Sequence, residues 1–183
     1  MIDLEHTATI LGLVYIILIY LKNYWGWVFG VVSSLIFIKI CIDHNLFVQS
    51  FVQFIYVILG VYGFITWKNT DSHIRKLSLQ QLAIYLLSSC LLSAFLGFVL
   101  SFTNQSAPFL DSFIGVFGIL ATYLTIQKLV ENWIIWIIIN LLSIVLFVEQ
   151  ELYFSSILFL CYLFVSIVGY VHWTREILRE KTN

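Results

Sequence analysis

Seven apolar runs, each about the length of a membrane crossing, leave this chain almost no residues for anything else. A spanning helix needs about 20 mostly apolar residues. Runs of that kind stand at roughly 5–21, 24–42, 47–67, 80–103, 111–127, 131–148 and 153–173. The connections between them are short and hold most of the charge, and the only proline, Pro108, lies in one of them. Of 183 residues, 61% are hydrophobic and 10% charged, against about 45–50% and about 25% in soluble domains. The mean hydropathy is +0.99. So little charge could not cover so much apolar surface in water. The expected fold is an all-α membrane protein with seven transmembrane helices. A net charge of −1 gives no sign of nucleic-acid binding.

The first run follows Asp3 and Glu5, where a signal peptide would carry Lys or Arg, and no small-residue cleavage site follows it. It is therefore expected to stay as a helix. Orientation follows from the basic residues. Lys22, Lys68, Arg75, Lys76, Lys128, Arg175, Arg179 and Lys181 all fall in connections on one side, or in the tail on that side. The connections near 43–46, 104–110 and 149–152 have no Lys or Arg. The positive-inside rule then puts the N-terminus outside and the C-terminus in the cytoplasm. Lys39 is the exception, about a turn from an outer helix end, where its long stem can snorkel to the interface. Cys41, Cys90 and Cys161 lie inside apolar runs without metal-binding spacing and read as inert buried thiols.

The chain resembles itself at an offset of 106 residues. Without a gap, Gly12 falls on Gly118, Lys22 on Lys128, Trp27 on Trp133, Ser50 on Ser156, Tyr56 on Tyr162, Gly63 on Gly169 and Trp67 on Trp173. Leu46 falls on Leu152, and Asp43 on Glu149. Residues 5–67 and 111–173 are thus expected to be two copies of a three-helix unit. Residues 68–110 supply a loop, a linker helix and an outer loop, and 174–183 a cytoplasmic tail. A single linker crossing makes the copies parallel repeats. In transporters such repeats carry the substrate site near the midplane between the halves. A purely structural duplication is the alternative.

Polar side chains at membrane depth are costly and usually face a bundle interior. The third span carries Gln49, Gln53, Tyr56, Gly60, Gly63 and Trp67 at spacings of four and three, one helical face. The sixth carries Trp133, Trp136, Asn140 and Ser143 on one stripe, with Asn132 beside it. The seventh carries Ser155, Phe159, Tyr162, Ser166, Gly169 and Trp173. At 1.5 Å per residue, Asn140 is roughly 12 Å from the inner end of its helix and Tyr56 roughly 14 Å from the outer end of its own. Gln53, Trp136 and Tyr162 lie within about a turn of that level, and Gln49 and Trp133 extend the stripes. Trp67 and Trp173, at the inner ends, read as interfacial belt residues, as do Trp25 and Trp27. The two copies differ in the middle: Gly30, Ser34 and Gln53 correspond to Trp136, Asn140 and Phe159. Such a centre suits an asymmetric ligand with a flat, diffusely charged ring, held by ring faces and amides. The competing reading is interhelical glue.

Other chemistries find no residues. The last span has no lysine for a retinal Schiff base, and no H-E-x-x-H motif, paired acids, G-x-S-x-G or phosphate loop is present. Proton-driven pumping usually needs buried Asp, Glu or His. The histidines, His6, His44, His73 and His172, lie at helix ends or in loops. No enzyme, cofactor or metal is expected. Passive transport remains, with a non-transporting receptor or assembly protein as the rival.

Several elements together resemble the PnuC family of bacterial vitamin transporters. They are Trp25-Gly26-Trp27 with Phe29-Gly30, the Leu46-Phe47 run that continues to Gln53-x-x-Tyr56, and Tyr62-Gly63-x-x-x-Trp67. Glu131-Asn132-Trp133-x-x-Trp136 and Gly169-Tyr170-x-x-Trp173 complete the set. The resemblance covers about residues 8–175. It implies a three-plus-one-plus-three helix fold like that of the SWEET sugar transporters, in the bacterial inner membrane. It also implies facilitated diffusion of nicotinamide riboside without ion or ATP coupling, and a cytoplasmic kinase that traps the substrate for NAD biosynthesis. A homo-oligomer, a trimer, is compatible with it. By the same resemblance the ligand meets Gln53, Tyr56, Asn132, Trp136 and Asn140. Gln49 stands where the family often has an acid, and Phe64 where Trp is common. Thiamine and riboflavin therefore stay open as substrates.

Overall fold

The computed structural model describes residues 2–43, 47–70, 73–103, 107–149 and 153–180. His44, Asn45, Leu46, Asn104, Glu151, Leu152 and Lys181 lie outside the described residues. Among those described, the chain forms seven α-helices: α1 Ile2–Tyr20, α2 Trp25–Asp43, α3 Phe47–Asn69, α4 Leu79–Leu100, α5 Pro108–Ile126, α6 Glu131–Glu149 and α7 Tyr153–Glu180. No strand occurs among them; Arg75 and Leu129 form one isolated parallel bridge. Stretches of α2, α3, α4, α5 and α7 are long and apolar enough to cross a membrane. Leu4–Tyr20 and Glu131–Val145, within α1 and α6, are apolar but shorter. This is a multi-pass membrane protein.

α4 shows how the lipid shapes such a helix. Ile84, Leu87, Leu91, Phe95 and Phe98 recur at three- and four-residue spacing and all stand exposed, Ile84 by 66%. Ser89, Ser93 and Gly97, on the other side, are buried where α4 packs on α5. Lipid tails are as apolar as Leu, so large side chains gain little by turning inward. Small residues instead let backbones approach. The ends of α4 are closed locally. Ser78 and Gln81 form a reciprocal capping box, and the Ser101 and Thr103 hydroxyls donate to the carbonyls of Phe98 and Leu100.

The helices fall into two compact units, Met1–His73 and Ile74–Asn183. In the first, α2 packs against both α1 and α3. In the second, α4, α5, α6 and α7 pack in chain order, each on the next. The turn that closes α1 has Lys22 in the left-handed region, at φ 56°. The Lys22 N–H donates to Ile19 O and the Asn23 N–H to Leu18 O, the two bonds of a Schellman motif. The turn that closes α5 has Lys128 at φ 53°, with Lys128 N–H donating to Thr125 O and Leu129 N–H to Leu124 O. Every residue of the second turn lies 106 positions after its counterpart.

The same offset relates two tryptophan locks. Trp27 lies on Gly63 so closely that a Cβ there would sit 2.5 Å from the indole ring. It meets Trp67 edge to face at 5.4 Å and 89°. Trp133 lies on Gly169, where a Cβ would come within 2.7 Å of the ring, and it meets Trp173 at 5.3 Å and 86°. Only glycine admits the indole at these points, and each ring pair adds about 0.5–1.5 kcal/mol beyond packing. The belt expectation is corrected here. Trp25 is exposed, but Trp27, Trp67 and Trp173 are 1%, 5% and 0% exposed and face protein rather than headgroups. α7 continues past Trp173 to Glu180, so the residues expected to form the tail are helical as far as that point. Gly169, Trp173 and Ile177 recur every fourth residue and are all buried, so the packed stripe carries the helix on.

Candidate functional site

On α3 the polar stripe divides into two parts. Gly60, Gly63 and Trp67 are buried, the two glycines against Val31 and Trp27 of α2. About one to three turns earlier, Gln49, Gln53 and Tyr56 are only partly buried. Among the described residues, Gln53 and Tyr56 have no hydrogen-bond partner. An amide and a phenol at mid-depth with open hydrogen-bonding capacity are available to a ligand.

The second unit places its candidates differently. Asn132 is fully buried, and its Nδ2 donates to the Leu129 carbonyl at 2.6 Å. Its Oδ1 has no partner, nor has Ser143 Oγ about three turns along the helix. Trp133 is held in the lock with Gly169 and Trp173, with its Nε1–H unpaired. Asn140 is 2% exposed and donates from Nδ2 to Ser166 Oγ at 3.3 Å. Ser166 donates in turn to the Tyr162 carbonyl at 2.7 Å. Asn140 thus ties α6 to α7. Tyr162 is partly exposed and meets Phe159 edge to face at 6.0 Å. Trp136 is also partly exposed, and packs against the apolar cluster of Phe117, Leu120, Ala121, Leu124, Ile135 and Ile139. The structure therefore brings Asn140, Ser166 and Tyr162 together, and holds Asn132 and Trp133 in closed packing.

One relation was not drawn from sequence. Tyr15 of α1 lies over Gly30 of α2, 2.8 Å from where a Cβ would stand. Their counterparts 106 residues on are Ala121 and Trp136, and Trp136 packs on the cluster that includes Ala121. The large ring and the small residue have changed helices. Aligning the two halves position by position holds this signal, but only once helix contacts say which positions meet. Glu131, at the start of α6, is a buried carboxylate that its position at a helix end does not reveal. It is 9% exposed, with Oε1 accepting the Leu77 N–H at 3.1 Å and Oε2 unpaired.

Residues 3–175 match the family described as nicotinamide mononucleotide transporter. The chain belongs to that family. It is 28% identical to the nicotinamide riboside transporter PnuC of Escherichia coli (strain K12), over 93% of this chain and 84% of that protein. To the protein of the same name from Neisseria mucosa it is 22% identical, over 97% of this chain and 74% of the other. A crystal structure of the vitamin B3 transporter PnuC shares its fold, with a TM-score of 0.79 at 21% identity, covering 96% of this chain and 82% of that one. Membership makes this a transporter and not an enzyme, and bears out the resemblance carried by the tryptophan, glycine and amide elements.

Proposed function

We propose that the chain is a uniporter for nicotinamide riboside in the bacterial inner membrane, crossing it seven times with the N-terminus outside. On this reading α1–α3 and α5–α7 are parallel repeats and α4 the linker between them, as in a three-plus-one-plus-three fold. The duplicated Schellman turns and tryptophan locks support it. The residues proposed to contact the substrate are Gln53 and Tyr56 in the first unit and Trp136, Asn140 and Tyr162 in the second. Gln49 stands one turn outward, and Asn132 and Trp133 support the packing behind. A cytoplasmic kinase would trap what enters.

The observation that favours the riboside over the mononucleotide is where the cations stand. The family's description names the mononucleotide and the curated relatives the riboside; the two ligands differ by a phosphate. Phosphate recognition relies on Arg or Lys, and all nine basic residues of this chain lie in connections, in the tail or near helix ends. A phosphate at mid-depth would meet no cation, whereas the cationic pyridinium of the riboside needs only ring faces.

Uptake into proteoliposomes tests the reading. Nicotinamide riboside should equilibrate across the bilayer without accumulating, at a rate indifferent to pH or sodium gradients. Accumulation driven by an imposed proton gradient would overturn uniport. Competition by thiamine and riboflavin identifies the vitamin: either one inhibiting at lower concentration than the riboside would reassign the substrate.

A further inference from the structure

The second unit has a cavity of about 200 Å³ at the end of the bundle where α4 begins and α5 ends. It is built from the segment after α3, the first turns of α4 and the α5–α6 turn. The segment is fixed by backbone bonds, Arg75 N–H to Lys128 O and Val130 N–H to Arg75 O, both 3.0 Å. Tyr85 and Tyr123 line one wall, edge to face at 6.2 Å. Arg75, Lys76, Gln81 and Gln127 supply the polar lining.

What those four groups have left over defines the ligand. Gln81 Oε1 accepts from the Ser78 N–H and hydroxyl, which leaves its Nε2 hydrogens. Gln127 Oε1 and its carbonyl both accept from Arg75 Nη2, which leaves the Gln127 Nε2 hydrogens and the other donors of the guanidinium. Lys76 has donors only. The side-chain acceptors of these residues are engaged with one another or with the cap, and the remaining capacity consists of two amide donors and two cations. The lining holds two cations and two amide donors against the tyrosine hydroxyls, which can also accept, so it carries positive charge with an excess of donors and takes an anion rich in acceptor oxygens. Its volume falls below the roughly 300–1,000 Å³ of sites that enclose a whole small molecule. It suits a phosphate and the short ester arm beside it, with the arm along the tyrosine rings.

We propose that this cavity binds a phosphate ester of net negative charge, separately from the substrate site. Two sources carry that chemistry: the headgroup of an anionic phospholipid, since basic pockets between helices take such headgroups, or a water-soluble phosphate ester. Binding requires neither transport nor the substrate reading above, so the two fail independently.

The test is thermal unfolding of the full chain in neutral detergent with added phosphatidylglycerol, phosphatidylcholine or glycerol 3-phosphate, against sodium chloride at equal ionic strength. The unfolding midpoint should rise with phosphatidylglycerol or glycerol 3-phosphate, and not with phosphatidylcholine or salt. A rise with phosphatidylglycerol alone assigns the site to lipid, and a rise with glycerol 3-phosphate assigns it to the soluble ester. Gln81→Glu keeps the capping box, for which Glu serves as well as Gln, but puts a carboxylate into the donor set. It should need at least tenfold more ligand for the same rise. Gln80→Glu adds the same charge one residue away, outside the cavity, and should stay within about twofold of the parent. Lys76→Gln should weaken binding with the Ser78 cap untouched, so the result does not hang on one variant folding. Equal midpoints with and without both phosphate ligands, or parental responses from both Gln81→Glu and Lys76→Gln, would overturn the proposal.

Discussion

Helices α1–α3 and α5–α7 share their turns and their tryptophan locks, yet differ at mid-depth. In α1–α3, Tyr15 lies over Gly30 and Gln53 and Tyr56 are left without hydrogen-bond partners among the described residues. In α5–α7, Trp136 packs on the cluster containing Ala121 and Asn140 bonds to Ser166, at the positions of Ser34 and Gly60. The two halves therefore keep one scaffold at their basic ends and vary what it carries at mid-depth. Each triplet of helices is held by its own lock, and the residues it carries at mid-depth differ.

The comparison can be broken most severely at the locks. Trp27→Ala and Trp133→Ala should each cost about 3–5 kcal/mol, the range for truncating a buried Trp, and Gly63→Ala and Gly169→Ala about 1–3 kcal/mol through overpacking. Unfolding in mixed detergent–dodecyl sulfate micelles measures all four. If one lock proves nearly indifferent while the other is essential, the two are not equivalent. The next test exchanges the middle. Trp136→Ala should weaken uptake affinity roughly tenfold, within the range for losing a desolvated cation–π face. The pair Ala121→Tyr with Trp136→Gly copies the first half into the second; it should recover stability relative to Trp136→Gly alone but not uptake. Recovery of uptake as well would mean that Trp136 is only packing.

Asn140→Leu sharpens the same point at smaller scale. Loss of its bond to Ser166 should lower stability by about 0.6 kcal/mol, the average for such bonds in membranes. A larger loss in uptake than in stability assigns the amide to the substrate, and matched losses assign it to the helix seam. The smallest effect is expected at Lys39, which pairs with Asp43 at 2.9 Å on an exposed face. Lys39→Ala should change stability by under about 1 kcal/mol, as for other surface ion pairs, and leave uptake rates unchanged.

How much of this was legible in the chain depends on which force wrote it. The lipid imposes length and apolarity, so six of the seven helices could be bounded to within a few residues. The apolar run ends near Trp173 but α7 runs on to Glu180, because Ile177 continues its buried stripe among polar residues. Trp, Gly and Lys at one fixed offset carried the duplication, since these residues are rare enough in an apolar chain to stand out. Their packing was not legible. A Trp near a helix end suits an interfacial belt or an interhelical lock equally well, and only the depth of Gly63 and Gly169 beneath the rings decides for the lock. For the site, spacing identified the stripes but not their neighbours, so Gln53, open to a partner, and Asn140, bonded across a seam, looked alike. The basic cavity stayed hidden because its lining comes from two short segments, 75–85 and 123–129, that only the fold brings together.

The two lysines that close α1 and α5 have a consequence for how the chain enters a membrane. A residue held at φ near 55° would be cheaper as Gly, since the left-handed region costs other residues about 1 kcal/mol or more. In the orientation proposed above, Lys at that position would make the bend itself a topogenic signal, because positive charge is retained on the cytoplasmic side. Copying three helices also copies that instruction. A tandem fusion of two odd-numbered units would present the second lysine to the wrong compartment, and one extra crossing removes the conflict. Under the three-plus-one-plus-three arrangement proposed above, α4 would reconcile two identical insertion signals, with its Ser89, Ser93 and Gly97 side packed on α5 and its Leu, Ile and Phe side left exposed.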